Sequence, residues 1–511
     1  MTHAQPGTVV LCGAGVSVAA PSSVPSWWGF NQLVLDELRS RFVTAHRVPV
    51  RAAGALTSLS LDSLDVTEFS QIVSDAFAGD TWFDVLGVLD GVAPNINHHT
   101  LAAWAKAGPL RVVVTTNFDT LIERAMHEDG VEHRVFDCLL DEPPKLSGIG
   151  SPVAVVKLHG SASRRASLVD LAAQKRRGLP GDWLDWLEDV FGGLHVVVAG
   201  FSGADLALGE DYLRLRAASP RTPELTWLVR PGQRPLEGAL EVVKLVGRRA
   251  RFLEADLPGA WAALGAPSTD FLRVNRASHF PPQDCLPDDA APDVSAAVGT
   301  WLEHPMVDAD TCGMALTRLL DSEGKHSAAT ALRTSIRTRV RRRLREGLDI
   351  TGATRAALQI GQLAIDEPPS RAAQAINGLD LASRALEAVL ELLPPGSREQ
   401  EAVRAEVAHN RATIMSNIAY FHVLSGRISE AVAAVEQAAD YSSVLAGPRR
   451  LNQDAAQLEV LGAVAYLRGD AEQARSLWQE AHELAKRAGH RVRVKTTAEN
   501  LRRLDGTPDL D

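Results

Sequence analysis

Short runs of apolar, mostly β-branched residues recur through the first half of the chain, and each gives way abruptly to glycine or polar residues. They are Thr8–Cys12 (TVVLC), Val112–Val114, the start of Val153–Ser161 (VAVVKLHGS), the start of Leu194–Asp205 (LHVVVAGFSGAD) and Leu225–Arg230 (LTWLVR). Successive apolar residues, rather than alternating ones, predict strands covered on both faces. Between these runs the period changes to helical. Leu33, Val34, Leu38 and Phe42 mark one face over Phe30–Phe42, Val66–Leu89 reads helical, and Leu121, Ile122 and Ala125 follow the polar turn TTNFD. A short apolar helix within Arg251–Leu264 closes the region. Strand, polar turn and helix in repetition predict an α/β fold with a parallel sheet.

After Pro267 the pattern breaks. Pro281, Pro282, Pro287 and Pro292 stand among Asp and Ala residues, which predicts a linker over 276–305, centred on Ala277–Val298, between a domain at 1–275 and another at 306–511. The second half is Ala- and Leu-rich and helical throughout. Leu461–Leu484 resembles a tetratricopeptide repeat: Gly462, Ala474 and Ala481 let two helices approach closely around a turn at Gly469 and Asp470. Asn417–Asp440 has the same form, with Gly426, Ala431 and Ala438 in the matching places, while Leu319–Ala331 and Leu379–Leu393 are candidate degenerate units. The two turn glycines are further apart than the usual period of about 34. An ordinary helical bundle is the alternative.

Composition narrows the function classes. The chain has 511 residues, 45% hydrophobic and 23% charged, with a net charge of −10, which argues against a general nucleic-acid or anionic-membrane binder. Arg337, Arg339, Arg341, Arg342, Arg343 and Arg345 crowd one predicted helix. A solvated face, salt bridges between subunits and nucleic-acid contact are the readings of that run. The first residues lack a signal-peptide pattern, and no apolar run reaches the roughly 20 residues that span a bilayer, so a cytoplasmic protein without a membrane association is expected. Cys12, Cys138, Cys285 and Cys312 are dispersed with no C-x-x-C pair, which predicts free thiols and no metal site.

The candidate chemistry sits at the strand ends, where open α/β sheets bind ligands. Gly13-Ala14-Gly15-Val16-Ser17 follows the first strand, although Val18 stands where a full G-x-G-x-x-G would have its third glycine. Asn117 and Asp119 follow the second and read equally as helix caps or as ligand groups. His159 and Gly160 follow the third, and Gly200, Ser202, Gly203 and Asp205 the fourth. Ala19–Gly29 breaks regular structure at Pro21 and Pro25, leaving Trp27 and Trp28 as core residues or as an apolar cover over the site.

Taken in order, GAGVS (13–17), TTNFDTL (115–121), KLHGS (157–161) and GFSGAD (200–205), with PNINHHTLAAW before the second, resemble the sirtuin family. The resemblance implies a Rossmann-like NAD-binding domain. The paired zinc cysteines of deacetylating sirtuins are missing, which implies that their zinc module is absent. Ser23-Val24-Pro25-Ser26-Trp27-Trp28 replaces the family's G-I-P-D-F-R run and is similar to the sirtuin-like NADases of bacterial anti-phage defence.

The resemblance implies an NAD⁺ glycohydrolase that takes NAD as its substrate and needs no metal. In it Gly13, Ala14, Gly15 and Ser17 hold the pyrophosphate, with Thr116 and Gly200 also on the dinucleotide and Ser202 near the phosphates or adenine ribose. Asn117 fixes the nicotinamide ribose or the attacking water, Asp119 supports it, and His159 is the general base. The alternatives are an NAD-dependent deacylase and a non-catalytic NAD- or ADP-ribose-sensing scaffold. The helical half is the expected sensor or oligomerisation domain, binding a protein trigger, phage-derived in the defence reading, or a partner subunit. A homo-oligomer is expected; a nucleic-acid partner is not.

Overall fold

The computed structural model describes residues 7–61, 66–77, 81–90, 93–145, 152–175, 178–207, 213–267, 294–303, 307–346, 349–392, 396, 398–488 and 491–505. They form two compact units. The first comprises Met1–Arg41 and Leu59–His304, the second Phe42–Ser58 and Pro305–Asp511.

In the first unit the strands are β1 (Thr8–Cys12), β2 (Leu110–Thr115), β3 (His133–Asp137), β4 (Val153–Lys157), β5 (His195–Ala199), β6 (Leu225–Val229) and β7 (Ala250–Glu254). They build one seven-stranded sheet in the order β3-β4-β2-β1-β5-β6-β7, and every neighbouring pair is parallel. This is the Rossmann-like arrangement, with β3 added at one edge. Residues of the central strands point alternately to two cores. Val9, Leu11, Val112, Val114, Val196 and Val198 pack beneath the helix Gly181–Gly193 through Trp183, Leu187 and Phe191. Val10, Cys12, Val113, Val155 and Val197 meet Leu101, Trp104, Ile122 and Met126 on the other face.

β3 and β7 escape the sequence reading for a physical reason. They are edge strands, and His133, Arg134 and Val135, like all of Ala250–Glu254, are only partly buried or exposed. Neither therefore needs an unbroken apolar run.

Part of the predicted linker is core. Within 276–305 the residues Val294–Trp301 form a helix. Val298 and Leu302 are inaccessible, and Trp301 stacks on Phe77 at 4.9 Å and meets Trp82 edge-on at 5.8 Å. Residues 276–293, 304 and 305, with Cys285 among them, lie outside the described residues. Cys12, Cys138 and Cys312 are buried free thiols.

The second unit is helical. Residues 42–58, which the sequence groups with the first domain, belong to it. Phe42 covers Gly313 so closely that a Cβ there would lie 2.4 Å from the ring, and His46 Nε2 is 3.3 Å from Asp310 Oδ1. Successive helices pack against one another from Ala309–Ser322 to Arg491–Leu504. Gly462 and Trp478 make the expected close contact: a Cβ at Gly462 would lie 2.4 Å from Trp478 Nε1, which donates to the Glu459 carbonyl at 3.0 Å.

Three arginines of the run, Arg337, Arg339 and Arg343, make internal ion pairs. Arg339 reaches Asp310 at 2.7 Å, Arg343 reaches Asp308 and Asp310 at 2.8 Å each, and buried Arg337 pairs with buried Glu367. Arg342, 69% exposed, meets its helical neighbour Glu346. Among the described residues no helix is long and apolar enough to cross a membrane.

Candidate active site

The sheet reverses direction of growth between β1 and β5, the place where open α/β sheets bind ligands. The turns after these two strands touch through glycine. A Cβ at Gly13 would lie 2.7 Å from the Gly200 carbonyl oxygen, and one at Gly15 would lie 2.7 Å from Gly200 Cα. Only side-chain-free residues allow this approach.

The same contact uses the amides expected to face phosphate. Gly13 N–H donates to the Ala199 carbonyl at 3.0 Å, Gly15 N–H to the Gly200 carbonyl at 2.9 Å, and Val16 N–H to the Gly13 carbonyl at 3.1 Å. Gly13 is thus a packing residue behind the site, while Ala14, Gly15, Thr116, Gly200 and Ser202 line the cavity.

Ser17 likewise faces inward rather than toward a pyrophosphate. Its fully buried hydroxyl donates to Asp119 Oδ2 at 2.9 Å. Asn117 Nδ2 donates to Ser17 Oγ and to Asp119 Oδ2, both at 3.2 Å. Behind Ser17 stands His98, on the helix Ile96–Lys106. The Asn95 backbone N–H donates to His98 Nδ1 at 3.0 Å, so Nδ1 is an acceptor and the neutral ring carries its proton on Nε2. Nε2–H then donates to Ser17 Oγ, 3.1 Å away. Burial pushes His98 down to about 3, in keeping with a neutral ring. The result is a one-way relay from His98 through Ser17 to Asp119. The motif PNINHH therefore acts as a brace: Asn95 and Asn97 side chains also donate to the Val16 carbonyl at 2.9 and 3.1 Å. The sequence signal for His98 was only a histidine in a helix cap, which reads as structural.

Asp119 supports the start of the next helix and lines the cavity. Its Oδ1 accepts the Leu121 N–H at 3.2 Å, tying down the start of the helix Leu121–Glu128, while Oδ2 belongs to the Ser17 cluster. Buried Lys157 donates to the Asp119 carbonyl and, at 3.1 Å, to Glu123 Oε1. Burial raises the Asp119 carboxyl to about 6, against the pull of Lys157 and the Ser17 hydroxyl.

His159 stands two residues beyond β4. The next residue, Gly160, has φ +80°, and a Cβ there would lie 2.1 Å from the Ser167 carbonyl oxygen, so the His-Gly pair is imposed by the turn. The ring is 3% exposed, hydrogen-bonds to the Thr116 backbone, and lies 6.2 Å from the Phe118 ring. Its Nε2 is 3.9 Å from Asp205 Oδ2. Burial, helped by Lys175, pushes the imidazole down to about 3. Lys175 and Asp170, which the sequence reading did not single out, complete this wall. Lys175 Nζ is 3.3 Å from Asp205 Oδ1 and 3.8 Å from Asp170 Oδ1.

Asn117, Asp119, His159, Asp170, Lys175 and Asp205 all line one cavity of about 1060 Å³, large enough for a dinucleotide-sized ligand. Both tryptophans line the cavity: half-buried Trp27 stacks on Phe30 at 5.3 Å and meets Phe118 at 5.5 Å, and Trp28 is 46% exposed. Arg230 and Arg234 reach the cavity from the loop after β6 and are exposed. Among the described residues no group of three or more His, Cys, Asp or Glu is arranged to hold a metal ion.

A comparison with curated proteins finds no match. Residues 111–244, the stretch that carries Asn117, Asp119, His159, Lys175 and Asp205, match the family model described as the SIR2-like domain, which supports a sirtuin-like assignment for this part of the chain.

Proposed function

We propose that the first unit is an NAD⁺ glycohydrolase, with water cleaving the nicotinamide–ribose bond to give nicotinamide, ADP-ribose and a proton. The SIR2-like match is consistent with NAD-dependent chemistry. The observation that carries the hydrolytic reading is Asn117. Its amide nitrogen is engaged by Ser17 and Asp119, which fixes the amide's orientation. Its buried Oδ1 has no hydrogen-bond partner among the described residues. A buried acceptor left unmade costs about 1–3 kcal/mol, and a water or ribose hydroxyl would satisfy it. His159, neutral near pH 7, is the base for that water's proton. As nicotinamide leaves with the bonding electrons, positive charge develops on the ribose, and the acidic lining of the cavity favours it. The scarcity of cysteine pairs in the sequence supports hydrolysis over zinc-supported deacylation.

The proposal extends to the second unit as a tetratricopeptide-like sensor or oligomerisation module whose protein trigger, phage-derived in an abortive-infection role, switches the first unit on. Such a trigger acts only by binding the active state more tightly.

The test is pure protein with NAD⁺, with and without an acetylated peptide, followed by separation of nicotinamide and ADP-ribose. Nicotinamide release independent of the peptide is expected, and His159→Ala or Asn117→Ala should each lower it by at least about 10²-fold with the fold intact. Release that requires the peptide would establish deacylation instead, and tight NAD⁺ binding without turnover would establish a scaffold.

A further inference from the structure

The wall behind His159 holds more charge than a base needs. Three groups from three separate elements meet there: His159 from the end of β4, Asp205 from the turn after β5, and Lys175 from the helix Ala172–Lys175. Lys175 is 4% exposed and lies between two carboxylates, 3.3 Å from Asp205 and 3.8 Å from Asp170. Asp170, itself inaccessible, is held by Trp82 Nε1 at 2.8 Å. Two further neighbours of the imidazole, the Thr116 backbone and the Phe118 ring, carry no charge.

We infer that Asp205 is the carboxylate that receives the His159 imidazolium, and that Lys175 holds Asp205 in position for it. With His159 neutral, one ammonium faces two carboxylates. When the ring takes a proton from the attacking water, the cluster becomes charge-balanced. Nε2 and Asp205 Oδ2 are 3.9 Å apart, too far for a hydrogen bond in the resting state and close enough to form one when the ring is charged. Lys175 opposes protonation at rest and so keeps the base ready, while Asp205 favours the charged form. Asp205 and Lys175 are thus positioning residues for the proton step, and the inference rests on the hydrolytic reading of this site.

The experiment combines NMR of the imidazole groups with steady-state kinetics on the full chain, using Asp205→Asn, Lys175→Met and the double variant, with His159→Gln to assign the His159 signal. Lys175→Met should raise the His159 titration midpoint by at least one pH unit. Adding Asp205→Asn should abolish that rise, because the carboxylate that drives it is gone. A purely structural role predicts no such opposed pair. Asp205→Asn alone should lower kcat about 10- to 100-fold with KM within threefold, and Asp205→Glu should recover part of the loss. If the His159 midpoint in the Lys175→Met background is the same with and without Asp205, the inference is overturned; wild-type kcat in Asp205→Asn overturns it as well. The NMR arm needs no turnover, so a protein that proves inactive on NAD⁺ defeats the hydrolytic reading while the pairing of His159 with Asp205 is still decided.

Discussion

Replacing Asp119 by Asn should make the first unit more stable at neutral pH, by an amount that grows with pH in a defined way. Burial raises this carboxyl from its ordinary value of 3.8 to about 6, despite the pull of Lys157, which Glu123 partly opposes, and the hydrogen bonds from Ser17 and Leu121. A folded-state pKa above the unfolded one means that the folded protein binds more protons between these two values. Stability therefore falls as pH rises through that window, by about 1.36 kcal/mol for each pH unit, or about 3 kcal/mol in all. Asn carries no such burden. It does lose one acceptor: with its oxygen turned to Ser17 and Asn117, the Leu121 N–H now bonded to Asp119 Oδ1 at 3.2 Å is stranded. That loss is about 1 kcal/mol at every pH. The variant should thus be slightly less stable than wild type near pH 4 and about 2 kcal/mol more stable above pH 7.

Urea unfolding followed by tryptophan fluorescence at a series of pH values measures this. Trp478 is the single tryptophan outside the first unit, so the signal reports on that unit. The pH dependence of the difference is the decisive quantity, since the stranded amide shifts its level and not its slope. A difference that stays flat between pH 4 and pH 8 would refute the description of Asp119 as a strained, ionised carboxylate.

Two further outcomes are expected. Arg230→Ala and Arg234→Ala should each raise KM for NAD⁺ about 3- to 10-fold with little change in kcat, and the effect should shrink in high salt, because these exposed cations line the cavity while the Gly13 and Gly15 amides are already bonded; KM values unchanged at low salt would remove them from the anion site. Glu367→Gln should destabilise the helical unit by about 3 kcal/mol by leaving buried Arg337 uncompensated, whereas Arg342→Ala, at an exposed pair, should leave helix melting by circular dichroism unchanged; equal effects of the two would contradict the inward assignment of the arginine run.

The central strands were legible in the sequence because burial on both faces forces unbroken apolar runs, and the candidate residues Asn117, Asp119 and His159 were legible because they stand where those runs stop. What escaped detection depends on distant partners. Whether the Gly13 amide faces a ligand or a carbonyl is decided by Ala199, far along the chain. Ser17 looks like a phosphate ligand until Asp119 and His98 are brought against it. Lys175 and Asp170 lie in SLVDLAAQK, which carries no strand or turn signal, and reach the cavity only because the four-residue helix Ala172–Lys175 sets Lys175 between Asp170 and Asp205. The same holds for residues 42–58, whose polar and apolar positions are unremarkable until Phe42 meets Gly313.

The sheet register explains how groups so far apart in sequence meet at one level. Thr115 pairs with Lys157, Cys12 with Thr115, and Cys12 with Ala199, so the last residues of β4, β2, β1 and β5 form a single row. Asn117 and His159 each stand two residues beyond that row, and Gly13 and Gly200 one beyond it. Their common level follows from the pairing of apolar strands rather than from loop conformation. Because side chains alternate with period two, slipping β4 by one residue against β2 would also turn Val155 and its neighbours out of their cores. The apolar core thereby defends the register, and the register holds His159 and the Asn117 amide at a common height. The polar groups can then be buried, strained and mutually opposed, as Asp119 and the His159–Asp205–Lys175 cluster are, because their placement does not depend on their own interactions being favourable.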